Sequence, residues 1–127
     1  MIIKKESDVP DVLIEEEGIK NVKRKILIGP DDGSHNIIMR HFQVLPGGHT
    51  PFHSHGFEHV VKIENGRGAV VDEKGEENIV SPGQSLLIEI NKKHQFKNPF
   101  NEPFEFICIV INPEKVNGDK IKAVNFL

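Results

Sequence analysis

Gly47-Gly48-His49-Thr50-Pro51-Phe52-His53-Ser54-His55-Gly56-Phe57-Glu58-His59 packs four of the chain's seven histidines into thirteen residues. His53 and His55 are two apart, and on an extended segment such residues point to one face. Two imidazoles on one face form a bidentate clamp for a metal ion. His59 follows after Gly56, which permits a sharp turn that brings a third ring round. A fourth donor has to come from elsewhere, and His94 is the candidate. It stands in Asn91-Lys92-Lys93-His94-Gln95-Phe96, where a strand begins after a polar turn.

Outward from this stretch, the punctuation is that of an all-β protein. Turn signals recur about every eight to twelve residues, the spacing of a sandwich or barrel. They are Pro30-Asp31-Asp32-Gly33, Pro46-Gly47-Gly48, Asn65-Gly66, Lys74-Gly75, Pro82-Gly83, Asn98-Pro99 and Asn117-Gly118. Between them lie short runs rich in β-branched and aromatic residues. These predict strands at 23–28, 37–44, 59–63, 69–72, 78–80, 85–88, 94–97 and 104–111, with a further strand at Ile121–Val124. Asp8–Glu17 is the best candidate for a helical turn, bounded by Pro10 and Gly18. No linker or low-complexity tract divides residues 1–127, so one domain is expected, its barrel core at about 23–111 and its terminal segments, Met1–Lys5 and Ile121–Val124, as edge strands. Closing the sheet into a barrel removes the exposed edges that many short strands create.

Composition narrows the function classes. The chain has 37% apolar and 28% charged residues and a net charge of −3, an ordinary globular balance. No basic excess points to nucleic acid or an anionic membrane, and no apolar run reaches the length of a membrane span. Cys108 is the lone cysteine, so no internal disulfide forms. Met1–Glu6 carries no apolar leader core, and a cytoplasmic location is the expectation.

The histidine stretch resembles the first signature of the cupins: Gly, five residues, His-x-His, three or four residues, Glu, six residues, Gly. Gly47, His53, His55 and Gly66 fall in register, and His59 stands at the glutamate position. The second signature runs Gly, five residues, Pro-x-Gly, two residues, His, three residues, Asn. Gly83, His94 and Asn98 match it, while Glu89 and Asn91 replace the proline and glycine. The resemblance covers residues 23–111 and implies an all-β cupin domain, a double-stranded β-helix or jelly-roll barrel. Glu58 is one residue early for the carboxylate and, by alternation, turns away from the face of His59. The chain is most similar to small single-domain cupins with four histidines. That likeness implies His53, His55, His59 and His94 around one divalent transition metal in a homodimer, with manganese or iron ahead of copper, nickel or zinc.

Neutral imidazole suits all of these ions, and ligation requires the unprotonated ring. Metal loss is therefore expected as pH falls through about 6.5 or below. The expected activity is that of a metal-dependent oxidoreductase, dioxygenase-like or peroxide-using, on a small molecule. The alternatives are a metal-dependent isomerase or lyase, and a non-catalytic small-molecule-binding cupin. Phe52, Phe57, Phe96, Phe104 and Phe106 are candidate cavity walls. Arg40 shares a strand face with Phe42 and, if that face points inward, can meet a carboxylate; the simpler reading is a surface arginine. Cys108 alternates with Phe106 and Val110 and so faces the interior, near the metal if the last barrel strand passes it. His49 is a candidate supporting residue, while His35 and His41 are read as uninvolved.

Overall fold

Strict alternation builds the inner wall. In β4 (His59–Asn65), His59, Val61 and Ile63 are buried while Val60, Lys62 and Glu64 face out. In β9 (Phe104–Ile111), Phe104, Phe106, Cys108 and Val110 are buried. β3 (Ile37–His49) supplies Ile38, Arg40, Phe42 and Val44 to the same interior. Such half-buried strands are what a period of two specifies.

The computed structural model describes residues 1–112. The remaining elements are β1 (Val12–Leu13), β2 (Lys20–Ile28), β5 (Gly68–Val71), β6 (Glu77–Val80), β7 (Ser85–Ile88) and β8 (Gln95–Lys97). All strand pairs are antiparallel. The order is β6-β5-β8-β3-β9-β4-β7, with β2 on the other side of β3 and β1 on β2. The sheet curls on itself into a half-barrel. Its core is a cluster of phenyl rings: Phe96 stacks on Phe106 at 4.3 Å between centroids, with Phe42 and Phe104 at 5.4 and 5.2 Å from Phe106. Each phenyl buried so fully contributes about 1.5–3 kcal/mol relative to exposure.

Three expectations are corrected. Residues 8–17 hold no α-helix: Glu6–Asp8 make a single 3-10 turn, and Val12–Leu13 pair with β2. Pro10 cannot donate to a helix, and Ile14 gains more by burial in the core, its amide bonded to Val22 O at 2.9 Å. Pro46-Gly47-Gly48 is not a turn that ends a strand but a bulge inside β3. The register with β2 jumps there from Val22↔Val44 to Lys20↔His49. A Cβ on Gly48 would lie 2.7 Å from Lys20 O and 2.8 Å from Leu45 O, so only glycine lets the backbones close. Met1–Lys5, expected as an edge strand, forms none. The strand expected at Ile121–Val124 lies outside the described residues.

Asn65-Gly66 does turn as its sequence predicts. Gly66 has φ +68°, and a Cβ there would meet Pro103 O.

Candidate metal centre

Main-chain bonds carry the histidine stretch to its counterpart. Residues 47–55 run antiparallel to 91–98: Gly47 N donates to Asn98 O at 2.9 Å, Asn98 N to Gly48 O at 3.0 Å, and Thr50 N to Phe96 O at 2.9 Å. Further along, His53 N donates to His94 O at 3.1 Å and His94 N to His53 O at 2.9 Å, while Asn91 N reaches His55 O at 2.8 Å. His53 and His94 are thus directly opposite one another. Asn98 fastens the far end, its Nδ2 donating to Val44 O and Glu102 O at 2.8 and 2.6 Å. That gives the asparagine of the second signature a structural task.

The rings converge. The centroids of His53 and His55 are 4.3 Å apart, and His94 lies 5.3 and 5.6 Å from them. Ligand atoms of His53, His55 and His94 lie within 4.8 Å of one another. His59 joins from the neighbouring wall, 4.9 Å from His55 and 5.4 Å from His94 between centroids. It stands beside the tight group of three rather than within it. The chain bends at Gly56-Phe57 between the two sets. Phe57 is buried there, with its ring stacked on both His55 and His59 at 5.0 and 5.5 Å. His59 is buried and Glu58 exposed, the parity that β4 requires.

Two rings leave a nitrogen without a partner. His94 Nδ1 is 3.0 Å from Lys92 O, so it carries the proton and donates, and the buried Nε2 has no hydrogen bond. His59 Nδ1 is 3.3 Å from Cys108 Sγ, and its buried Nε2 is likewise unpaired. Burial first, then Arg40 and the other three histidines, holds the His59 imidazolium at a pKa of about 2. Burial also lowers the pKa of His94, against the opposing bond to Lys92 O. Both rings are therefore neutral at ordinary pH, and the buried Nε2 of each has no protein partner. Unpaired buried polar atoms are costly in an interior. Neutral imidazoles with free nitrogens are the donor set of a transition metal, and these residues fit one.

Beside His59 lies a narrow recess lined by Phe42, Thr50, Phe96, Phe106 and Cys108. Of the expected neighbours, Cys108 lines it, and Arg40 touches Cys108, its Nη2 donating to Sγ at 3.3 Å. Phe104 does not line it: four residues before Cys108, it lies about 13 Å down the strand at ~3.3 Å per residue, packed in the core. His49 does not line it either, because the pairing of β3 with Lys97 turns its Nδ1 to Thr50 O at 3.2 Å. Phe52 is 43% exposed and is no cavity wall, since it sits on the outer side of the loop under Lys93. Thr50 was the residue that sequence reasoning missed. It is 2% exposed, and its Oγ1 accepts Phe96 N at 2.9 Å. Its position three before the His-x-His was the available signal. Among the described residues no helix is long and apolar enough to cross a membrane.

Comparison with known proteins agrees with this architecture. The cupin domain family model matches residues 40–110. The chain is 31% identical over 99 residues to a 1-methylthio-D-xylulose 5-phosphate methylsulfurylase of Rhodospirillum rubrum. That match takes in 76% of this chain but spans only 62% of the relative's length. Among solved structures, the polyketide cyclase RemF from Streptomyces resistomycificus superposes with a TM-score of 0.83 at 27% identity, over 87% of this chain and 79% of that one. A predicted oxalate decarboxylase from Thermotoga maritima superposes at 0.77 over 87% of this chain and 98% of its own, with 20% identity, a likeness of fold alone. Signature residues, curled sheet and buried imidazoles converge on one conclusion: the chain belongs to the cupin family.

Proposed function

We propose that this protein is a metal-dependent enzyme acting on a small organic molecule, with His53, His55, His59 and His94 holding one divalent transition metal. The observation that carries the reading is the pair of buried, unpartnered Nε2 atoms on His59 and His94, beside the close-set donors of His53 and His55. A bound ion supplies Lewis-acid polarisation and, if it is manganese or iron, redox chemistry with dioxygen or peroxide. The chain's own residues do the rest. His94 keeps its proton on Nδ1 through Lys92 O, which frees Nε2 for the ion. His59, binding through Nε2, keeps its proton on Nδ1, where Cys108 Sγ accepts it. Phe57 fixes the planes of His55 and His59. Phe42, Phe96 and Phe106 keep bulk water from the recess and give the substrate an apolar wall.

The oxidoreductase reading rests on that sheltered, all-imidazole donor set. A second reading, Lewis-acid isomerisation or elimination without dioxygen, draws support from the relative whose name describes work on a sugar phosphate. Metal analysis of the purified protein beside a His53→Ala, His94→Ala double variant tests the site. About one equivalent of metal, lost in the variant, is the expected result. No metal in the wild type after reconstitution would sink the site. Exchange of the ion for zinc separates the two readings: activity kept with zinc and without oxygen uptake excludes the oxidoreductase.

A further inference from the structure

The guanidinium of Arg40 is a charged group in the buried interior. It is 0% exposed, and its Nε and Nη1 are buried without a hydrogen-bond partner. Its Nη2 finds only the Cys108 sulfur, and its face lies 4.9 Å from the centroid of Phe42. On the next strand Arg24 stands opposite Phe42, on the same inner face, and its Nε is also buried and unpaired. Among the described residues, no carboxylate forms an ion pair with either arginine. The two guanidinium charges feel one another, and burial together with Arg40 makes Arg24 easier to deprotonate, against a distant pull from Glu16. An unpaired buried charge costs several kcal/mol; Arg40 is one, and the half-buried Arg24 adds a second cation on the adjacent strand.

We propose that Arg40, with Arg24 beside it, is the oxyanion-binding end of the ligand site, and that the protein takes small organic molecules bearing a carboxylate or phosphate. Phe42 and Cys108 both touch Arg40 and both line the recess beside His59, so the guanidinium adjoins the recess and an anion reaches it as those two side chains give way. A ligand with its reacting end toward the histidines extends its apolar body along Phe96 and Phe106 and presents its oxyanion to the arginine fork. Guanidinium recognises both oxyanions in a bidentate way. The placement of the reacting end rests on the metal-centre reading; the oxyanion site itself does not.

The chain has three arginines, Arg24, Arg40 and Arg67, so its arginine Nε–H spectrum holds three side-chain signals. Arg67 stacks over Phe100 at 4.2 Å and serves as an internal control. The isotope-labelled, chelator-treated full chain is titrated with inorganic phosphate and, separately, with acetate, at constant ionic strength in chloride. The Arg40 and Arg24 signals are expected to move saturably with one of the two anions while the Arg67 signal stays still. Which anion does so separates phosphate-bearing from carboxylate-bearing ligands. Arg24→Gln removes one signal, which assigns it, and weakens the anion about tenfold, the loss of one charge-assisted bond. Three signals that stay fixed, or that drift together without saturation, overturn the proposal. Because metal is absent throughout, a failure here is distinct from a failure of wild-type protein to take up metal.

Discussion

The four imidazoles are held in two different ways. His53, His55 and His94 sit on segments laced together by main-chain hydrogen bonds from Gly47 to Asn98. His59 sits on β4 and is placed by side chains: Cys108 at Nδ1, Arg40 behind the sulfur, Phe57 against the ring. The first arrangement depends on backbone geometry and leaves His53 and His55 half-buried. The second depends on chemistry in a dry interior, where each missing partner is felt in full. Substitutions should therefore be tolerated on the laced side and punished on the walled side.

The largest test of that contrast is Phe57→Ala. It removes a buried ring stacked on two histidines and should cost about 3–5 kcal/mol, read as a lower urea midpoint. A loss under about 1 kcal/mol would show that the wall does not depend on this ring. Next comes Cys108→Ala, which strips the hydrogen-bond partner from His59 Nδ1. Loss of a partner behind a ligand typically costs 10–100-fold in metal affinity, about 1.4–2.7 kcal/mol. Cys108→Ser should recover part of it, and unchanged metal competition in both variants would remove Cys108 from the site.

Acid acts on the walled side too, and its effect is smaller only when taken per pH unit. His59 is held at a pKa of about 2 in the fold and returns to about 6.5 when unfolded. Between those values the unfolded chain binds the extra proton. Stability of the metal-free protein is thus complete above about pH 6.5 and falls as pH drops toward 2. The slope is at most about 1.4 kcal/mol per pH unit from this ring. Denaturant melts at stepped pH measure it, and His59→Gln should flatten the curve. The smallest effect belongs to Phe52→Ala on the exposed loop, within about 0.5 kcal/mol of wild type. A larger drop in that melt would erase the distinction between the two sides.

Much of this was legible in the residues because it is local. Short β-branched and aromatic runs between turn signals placed β4, β7 and β9, and β7 and β9 begin and end at the predicted residues. The spacing of the two signatures named every imidazole that the fold gathers. What stayed hidden depends on partners far away in sequence. Val12–Leu13 is a strand only because β2 offers an edge. The glycine pair at 47–48 reads as a turn until Asn98 and Lys20 close on it from either side. Arg40 reads most simply as a surface residue, since no local pattern announces an arginine with zero exposure. Phe104 and Phe106 share a face and a residue type, yet only the latter reaches the recess, a matter of depth along the strand.

The lacing between 47–55 and 91–98 has an evolutionary consequence. Main-chain bonds do not read side chains, so the exposed residues along these two segments, such as Phe52, Ser54, Lys92 and Lys93, are free to drift while three imidazoles keep their station. The wall has no such freedom, because Cys108, Arg40 and Phe57 act through their own atoms. Changes in what such a barrel accepts should accumulate first on the wall, and the inherited ion-binding grip should outlast them.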